Sequence, residues 1–517
     1  MLRARSFNQL KMGTFLSYVS IGIQNLTAMI YTPVMLRLLG QDQYGLYQLS
    51  NSTVAYLGLL TFGFGSSYVK FYYDYRVQND EEGIRKLNSI FLLVFLAMSV
   101  LCVIAGAGMV LSADFLFGGS LTPGEIQEVR ILMVVLIITM ALTFPNIIFD
   151  CYITAHERYI FQRMLLIMVN VLNPFIGLPL LLMGYRSMSL VMANLILSLL
   201  RVGLNVYYCV RKLHMKFQFK GMERGVLKRV GTFSFYVFLN EVANQINWNI
   251  DKMVLGAFQG AGIVALYSVG SQFNQYFINM STAVSNVFIP RVNKMIAEGQ
   301  GDDKLTELFV KIGRIQYIIL GAVLTGYLLY GKFFIIKWAG QEYEGSYLIG
   351  AVIMLPTLIP LIQNIGIEIQ KAKNKHKFRS VTYFLIALAN LIVSIPLAIR
   401  FGALGSAAGT ALATVAGNVL LMNWYYDRHV GLDIYVFFRS MLRPTAALLI
   451  AAAVGLCVRL FIPVDSWPAF IGEAVLFLGV YLLCLWYFGF SSDEKEQAER
   501  ILANFKIKRE EKNGADL

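Results

Sequence analysis

The chain has 517 residues, 57% of them hydrophobic and only 15% charged, with a formal charge of +13 from 44 Lys and Arg against 31 Asp and Glu. Soluble globular domains are about 45–50% apolar and about 25% charged, so the composition excludes water as the solvent for most of this chain. The basic excess would suggest nucleic acid in a soluble protein, but here it is confined to one set of loops, which excludes that partner.

A helix needs about 20 mostly apolar residues to cross the roughly 30 Å hydrocarbon layer. In chain order, such runs predict spans at 13–36, 44–69, 87–111, 131–153, 160–184, 187–210, 230–255, 261–290, 310–331, 346–370, 380–399, 403–426, 440–462 and 467–489. The N-terminal run is too long for a signal peptide and lacks its cleavage pattern, so it is the first span. The second and eighth spans are rich in Gly, Ser and Asn (Gly63–Ser67, Ser271–Gln275). Such helices persist in a membrane when their polar face meets protein or a wet cavity. Pro356 and Pro360 interrupt the tenth span and mark a bend.

With the N-terminus placed inside, 35 of the 44 Lys and Arg fall in inside segments, eight in outside loops or helix ends, and Arg201 alone in mid-helix. That asymmetry follows the positive-inside rule and puts both termini in the cytoplasm. The longest outside loop, 112–130, is short. Trp338, Trp467, Trp424 and Trp486 fit the two interfacial belts.

The chain repeats itself. Gly13–Tyr18 (GTFLSY) returns as Gly231–Tyr236 (GTFSFY), and Tyr44–Ser50 (YGLYQLS) as Val264–Gly270 (VALYSVG), at offsets of 218 and 220. Six spans separate the copies, so both have the same orientation, as in parallel-repeat transporters. The expected organisation is a bundle over 1–210, a basic linker over 211–229, a second bundle over 230–426, an added helix pair over 427–490 and a tail over 491–517. The expected fold is an all-α integral membrane protein of about fourteen transmembrane helices, in two parallel-repeat halves around a central cavity.

The seventh span carries Asn240, Asn244, Asn247 and Asp251 at spacings of four, three and four, one face of a helix widened by Glu241 and Gln245. Gln272 and Gln275 of the eighth span, with Asn25 and Asn51 in the matching first and second spans, present similar faces. Two readings stay open: hydrogen-bonded glue between helices, or the wall of a hydrated path for a polar cargo. Arg201 poses the same choice, because a central arginine faces protein interior. It meets an anionic cargo group such as phosphate, or it pairs with a carboxylate. Asp150 and Glu368 lie near helix ends and suit anchoring or pairing.

No catalytic motif survives inspection. GFGSSY and GSAAGT lack the strand–loop–helix setting and lysine of a phosphate loop. All four histidines lie in loops, and the five cysteines have no CxxC spacing, so neither metal nor cofactor is expected.

Met35–Ser50 (MLRLLGQDQYGLYQLS), Asn249–Phe273 (NIDKMVLGAFQGAGIVALYSVGSQF) and Phe288–Met295 (FIPRVNKM) are similar to the polysaccharide flippases of the multidrug/oligosaccharidyl-lipid/polysaccharide exporter superfamily. Asp251, Lys252, Leu255, Gly256 and Leu266–Ser268 fit that family's pattern, and the resemblance covers roughly residues 10–490. It implies a flippase that moves an undecaprenyl-diphosphate-linked oligosaccharide from the inner to the outer leaflet of the bacterial inner membrane by alternating access. The partners it implies are that lipid-linked oligosaccharide, the membrane lipids, and functional links to a polysaccharide polymerase and glycosyltransferases. The chain is expected to act as a monomer. The alternatives are an ion-coupled drug exporter, which usually has twelve helices, and a lipid II flippase. A membrane glycosyltransferase would need a large polar catalytic loop.

Overall fold

The computed structural model describes residues 2–62, 64–221, 238, 241–242, 245–246, 248–373, 375–491, 494–496 and 499. Among them there is no strand. Among the described residues, ten helices are long and apolar enough to cross a membrane, from Val19–Leu39 to Trp467–Gly489. The count reconciles with fourteen spans. The second and eighth are helical but more polar, the seventh is described only in part, and Phe378–Val430 contains two spans. Gly402 divides that last stretch with φ 60° and ψ −141°, a backbone conformation open to glycine.

Helices overrun the hydrocarbon limits because their end turns are capped rather than apolar. The fourth span starts at Pro123, within the expected outside loop, not near 131. Thr122 accepts from the Glu125 amide while the Glu125 carboxylate accepts from the Thr122 amide at 2.8 Å, and Pro123 occupies the first turn. This reciprocal cap lets two polar turns extend the helix. The tenth span runs through both prolines as Ser346–Ile362, breaks at Gln363 and resumes as Asn364–Ala372.

The chain forms two compact units. The first comprises Met1–Gln272, Trp338–Gly350 and Ser380–Ala413. In it the third span packs on the fourth, the first on the fifth, and the fourth on the sixth. Close approaches occur where side chains are small: a Cβ on Gly106 would lie 2.7 Å from Ile137. The stretch after the sixth span folds back on the start of the third, where Asn88 donates to the Lys216 carbonyl at 3.0 Å.

The second unit comprises Phe273–Lys337, Ala351–Arg379 and Thr414–Leu517. It contains the last two spans, Ile434–Phe461 and Trp467–Gly489, packed together. Its buried polar centre lies at the break in the tenth span. Ser281 donates to the Leu361 carbonyl at 2.8 Å, Gln316 to both Ser281 and Ser285, and Asn364 to Ser281 at 2.8 Å. Polar side chains thus answer the backbone groups that a broken helix leaves open in hydrocarbon. Beyond the last span, Arg314 holds Glu494 at 2.8 Å. Burial alone would raise the Glu494 pKa, but the Arg314 guanidinium and the Ser491 amide outweigh it and keep the carboxyl below its ordinary range.

Candidate functional site

Two polar clusters and one helix junction in the first unit can carry function. The first cluster joins the fourth and sixth spans, each contributing residues one turn apart. Arg201 Nη2 meets Asp150 Oδ2 at 2.7 Å. Asn205 Nδ2 donates to Asp150 Oδ1 at 2.8 Å and to Asn146 Oδ1 at 3.0 Å, and Asn146 donates back to Asp150 at 3.2 Å. Asn146 and Asn205 are buried, whereas the Arg201 side chain keeps 39% of its surface. Of the two chemistries the sequence allowed Arg201, the structure supplies the carboxylate partner. Only one of its nitrogens is so engaged among the described residues, and a guanidinium has five N–H donors. A second anion can therefore be bound without breaking the pair.

The second cluster encloses Asp251. Its Oδ1 accepts from Ser406 at 2.6 Å, and its Oδ2 from Tyr267 at 2.7 Å and Thr410 at 3.1 Å. The residue is buried, so these hydroxyls replace water as the solvent of the carboxylate. Asp251→Ala should leave three hydroxyl donors without an acceptor and cost about 3 kcal/mol. Asp251→Asn should cost less, because the hydroxyls can turn to its carbonyl. Thermal unfolding of the purified protein checks the order, and equal midpoints for both variants and the parent would refute it.

The remaining expected site residues are dispersed. Gln245 donates to the Ala55 carbonyl at 2.9 Å, and Asn249 donates to Gln245. This stretch of the seventh span is therefore fastened to the second, the glue reading at these two positions. Glu241 and Asn51 are exposed, Asn25 is half-buried, and Gln272 ends the first unit. Gln275, in the second unit, is exposed and donates to Asn279 at 3.1 Å. Asn240, Asn244 and Asn247 lie outside the described residues. Composition gave no hint of Tyr267, Ser406 and Thr410 as the partners of Asp251.

The helix junction lies on the side away from the basic loops. Gly40 turns the first span into the second with φ 76°, and Gly260 turns the seventh into the eighth with φ 89°, 220 residues later. The repeat register therefore places the same elbow in both copies. The elbows meet: Gln41 Nε2 donates to the Gly262 carbonyl at 3.0 Å. Ser120, from the loop before the fourth span, donates to the Gly256 carbonyl. Pro33 has no N–H for the Met29 carbonyl, four residues back, and the Trp338 indole donates to that carbonyl at 2.9 Å. Together these contacts knit the ends of both sequence copies that lie away from the basic loops.

A family model described as "polysaccharide biosynthesis protein" matches residues 10–296, which include both elbows and the clusters' Asp150, Arg201 and Asp251. The chain belongs to the polysaccharide biosynthesis protein family. Comparison with curated protein sequences gives no match. Among solved structures, this family member is similar to the lipid II flippase MurJ in an inward closed conformation, at 16% identity and a TM-score of 0.71, covering 91% of this chain and 98% of that one. It is also similar to an inward-facing multidrug resistance MATE family transporter of the MOP superfamily, at 14% identity and a TM-score of 0.59, covering 78% and 94%. A MOP superfamily transporter from Pyrococcus furiosus follows at 14% and 0.51, covering 86% and 96%. At these identities the likeness is one of fold, so the family member has the fold of the MOP transporters and is a multi-pass membrane protein.

Proposed function

We propose that this member of the polysaccharide biosynthesis protein family is a carrier rather than an enzyme. It moves an undecaprenyl-diphosphate-linked oligosaccharide from the inner to the outer leaflet of the bacterial inner membrane. The observation that carries the proposal is the contact of Gly40–Gln41 with Gly260–Gly262, two repeat-related elbows that meet on the side away from the basic loops. A closure built from repeated elements is what one state of an alternating-access carrier requires. The basic loops support a cytoplasmic placement of both termini. Arg201, Asn25, Asn51, Glu241 and Gln272 of the first unit border the path. The sugar and diphosphate travel wet while the polyprenyl tail stays in lipid. A polymerase and glycosyltransferases act before and after it, and the carrier works as a monomer.

The alternative cargo is lipid II, because the likeness to the lipid II flippase fold spans 91% of the chain. Proteoliposomes loaded with a labelled undecaprenyl-diphosphate oligosaccharide, and separately with lipid II, decide between them by the label's accessibility to an impermeant quencher. Faster exposure of the oligosaccharide supports the proposal, and faster exposure of lipid II replaces the cargo. If neither moves, and deletion leaves surface polysaccharide intact while raising drug sensitivity, the flippase reading is wrong.

A further inference from the structure

The hairpin between the eighth and ninth spans, on the basic-loop side, holds an open cavity of about 450 Å³ in the second unit. Its cations come from two helix faces in register. Arg291, Lys294 and Glu298 follow one another at spacings of three and four along the end of Ala261–Ala297 and the turn that continues it. Lys304, Glu307 and Lys311 do the same along the start of Asp302–Ala339. Such spacings place each trio on one helix face, so the two faces turn four cations and two acids toward the same space.

The cations are poorly neutralised. Lys294 meets Glu298 at 3.6 Å, with both side chains largely in solvent, and an exposed pair of this kind is easily exchanged for another anion. Arg291, Lys304 and Lys311 have no ion pair among the described residues. Of the two acids just before Lys304, Asp302 meets Lys373 at 2.6 Å, and Asp303 has no ion pair among the described residues. The cavity therefore has a net surplus of two positive charges at the end of two membrane-crossing helices. Basic side chains that follow directly on membrane-crossing helices stand where lipid headgroup phosphates lie, and a lipid phosphate is kept near them by its own chain.

We propose that this cavity binds the phosphate of a lipid headgroup in the inner leaflet, with Lys304 and Lys311 as the principal contacts. The side of the membrane rests on the function proposed above, but binding itself does not. Phosphate can reach the cavity on a glycerophospholipid or on the diphosphate of the polyprenyl cargo.

The full chain is incorporated into vesicles of phosphatidylethanolamine with either phosphatidylglycerol or undecaprenyl diphosphate, extracted, and the retained lipid measured by native mass spectrometry. The parent should retain at least one of the two anionic lipids. Lys304→Glu/Lys311→Glu should lower retention at least about 25-fold, about five-fold for each lysine charge lost near a charged surface and more for the acids gained. Lys304→Arg/Lys311→Arg should keep it, which separates binding from a failure to fold. Retention of phosphatidylglycerol alone assigns the cavity to bulk lipid, and retention of undecaprenyl diphosphate alone assigns it to the cargo. Either result supports the proposal whatever the vesicle transport assay shows. Equal retention by the parent and the glutamate variant for both lipids, or binding of inorganic phosphate without either lipid, overturns it.

Discussion

Arg201→Met is expected to cost more stability alone than in combination with Asp150→Asn. The single change leaves Asp150 charged beside two buried asparagines, Asn146 and Asn205, with its cation gone. Breaking a fully buried pair costs about 3–5 kcal/mol, and the partial exposure of this pair brings the expectation to roughly 2–3 kcal/mol. In the double variant the amide introduced at position 150 can still bond Asn205 and Asn146, and no charge remains, so most of that loss should return. Transport should behave differently. If Arg201 also binds the cargo's phosphate with its spare N–H groups, the double variant regains its melting temperature but still transports at least about ten-fold more slowly. A charge-assisted hydrogen bond of about 1.5–3 kcal/mol sets that factor. Recovery of transport along with stability would make Arg201 a strut between the fourth and sixth spans and remove it from the path.

The fold was legible because lipid imposes rules that sequence must obey openly. Every backbone group in hydrocarbon needs an internal partner, so helices of known length are forced, and basic loops record their direction. Even the polar second and eighth spans could be placed, because a wrong helix count would scramble the asymmetry of Lys and Arg after the error. Helix ends were less visible where a cap, not an apolar run, extends the helix, as Thr122 and Glu125 do. The polar residues of the two clusters were legible in the sequence, but their partners were not. Asn146 and Asp150, like Arg201 and Asn205, are four residues apart, a pattern that could have signalled two facing pairs. Nothing in the seventh span points to Ser406 or Thr410, which lie 155 and 159 residues from Asp251 and meet it only through packing. Pro33 announced an unpaired carbonyl at Met29, yet the indole that answers it comes from Trp338, more than three hundred residues away.

The repeat also explains why one position in the junction tolerates no side chain. Gly45 and Ala265 correspond at the offset of 220, and both are buried. Ala265 already carries a Cβ, but one built on Gly45 would lie 1.9 Å from the Ala261 carbonyl oxygen, a backbone atom that cannot rotate away. Gly45→Ala is therefore expected to force the second and eighth spans apart at their outer ends. It should disfavour the closed junction by about 3 kcal/mol, the upper range for overpacking, which shifts a two-state equilibrium roughly 100-fold. The readout is labelling of a cysteine introduced as Gln48→Cys, one turn deeper, by an impermeant maleimide added outside. The background must have the five native cysteines replaced, since Cys457 is exposed. Labelling should rise and transport fall in Gly45→Ala, while Ala265→Gly, which only removes bulk, should change neither by more than a few-fold. If Gly45→Ala left labelling and transport at the parental level, the closure would not depend on this contact. The two elbows would then be a relic of the repeat rather than a moving part.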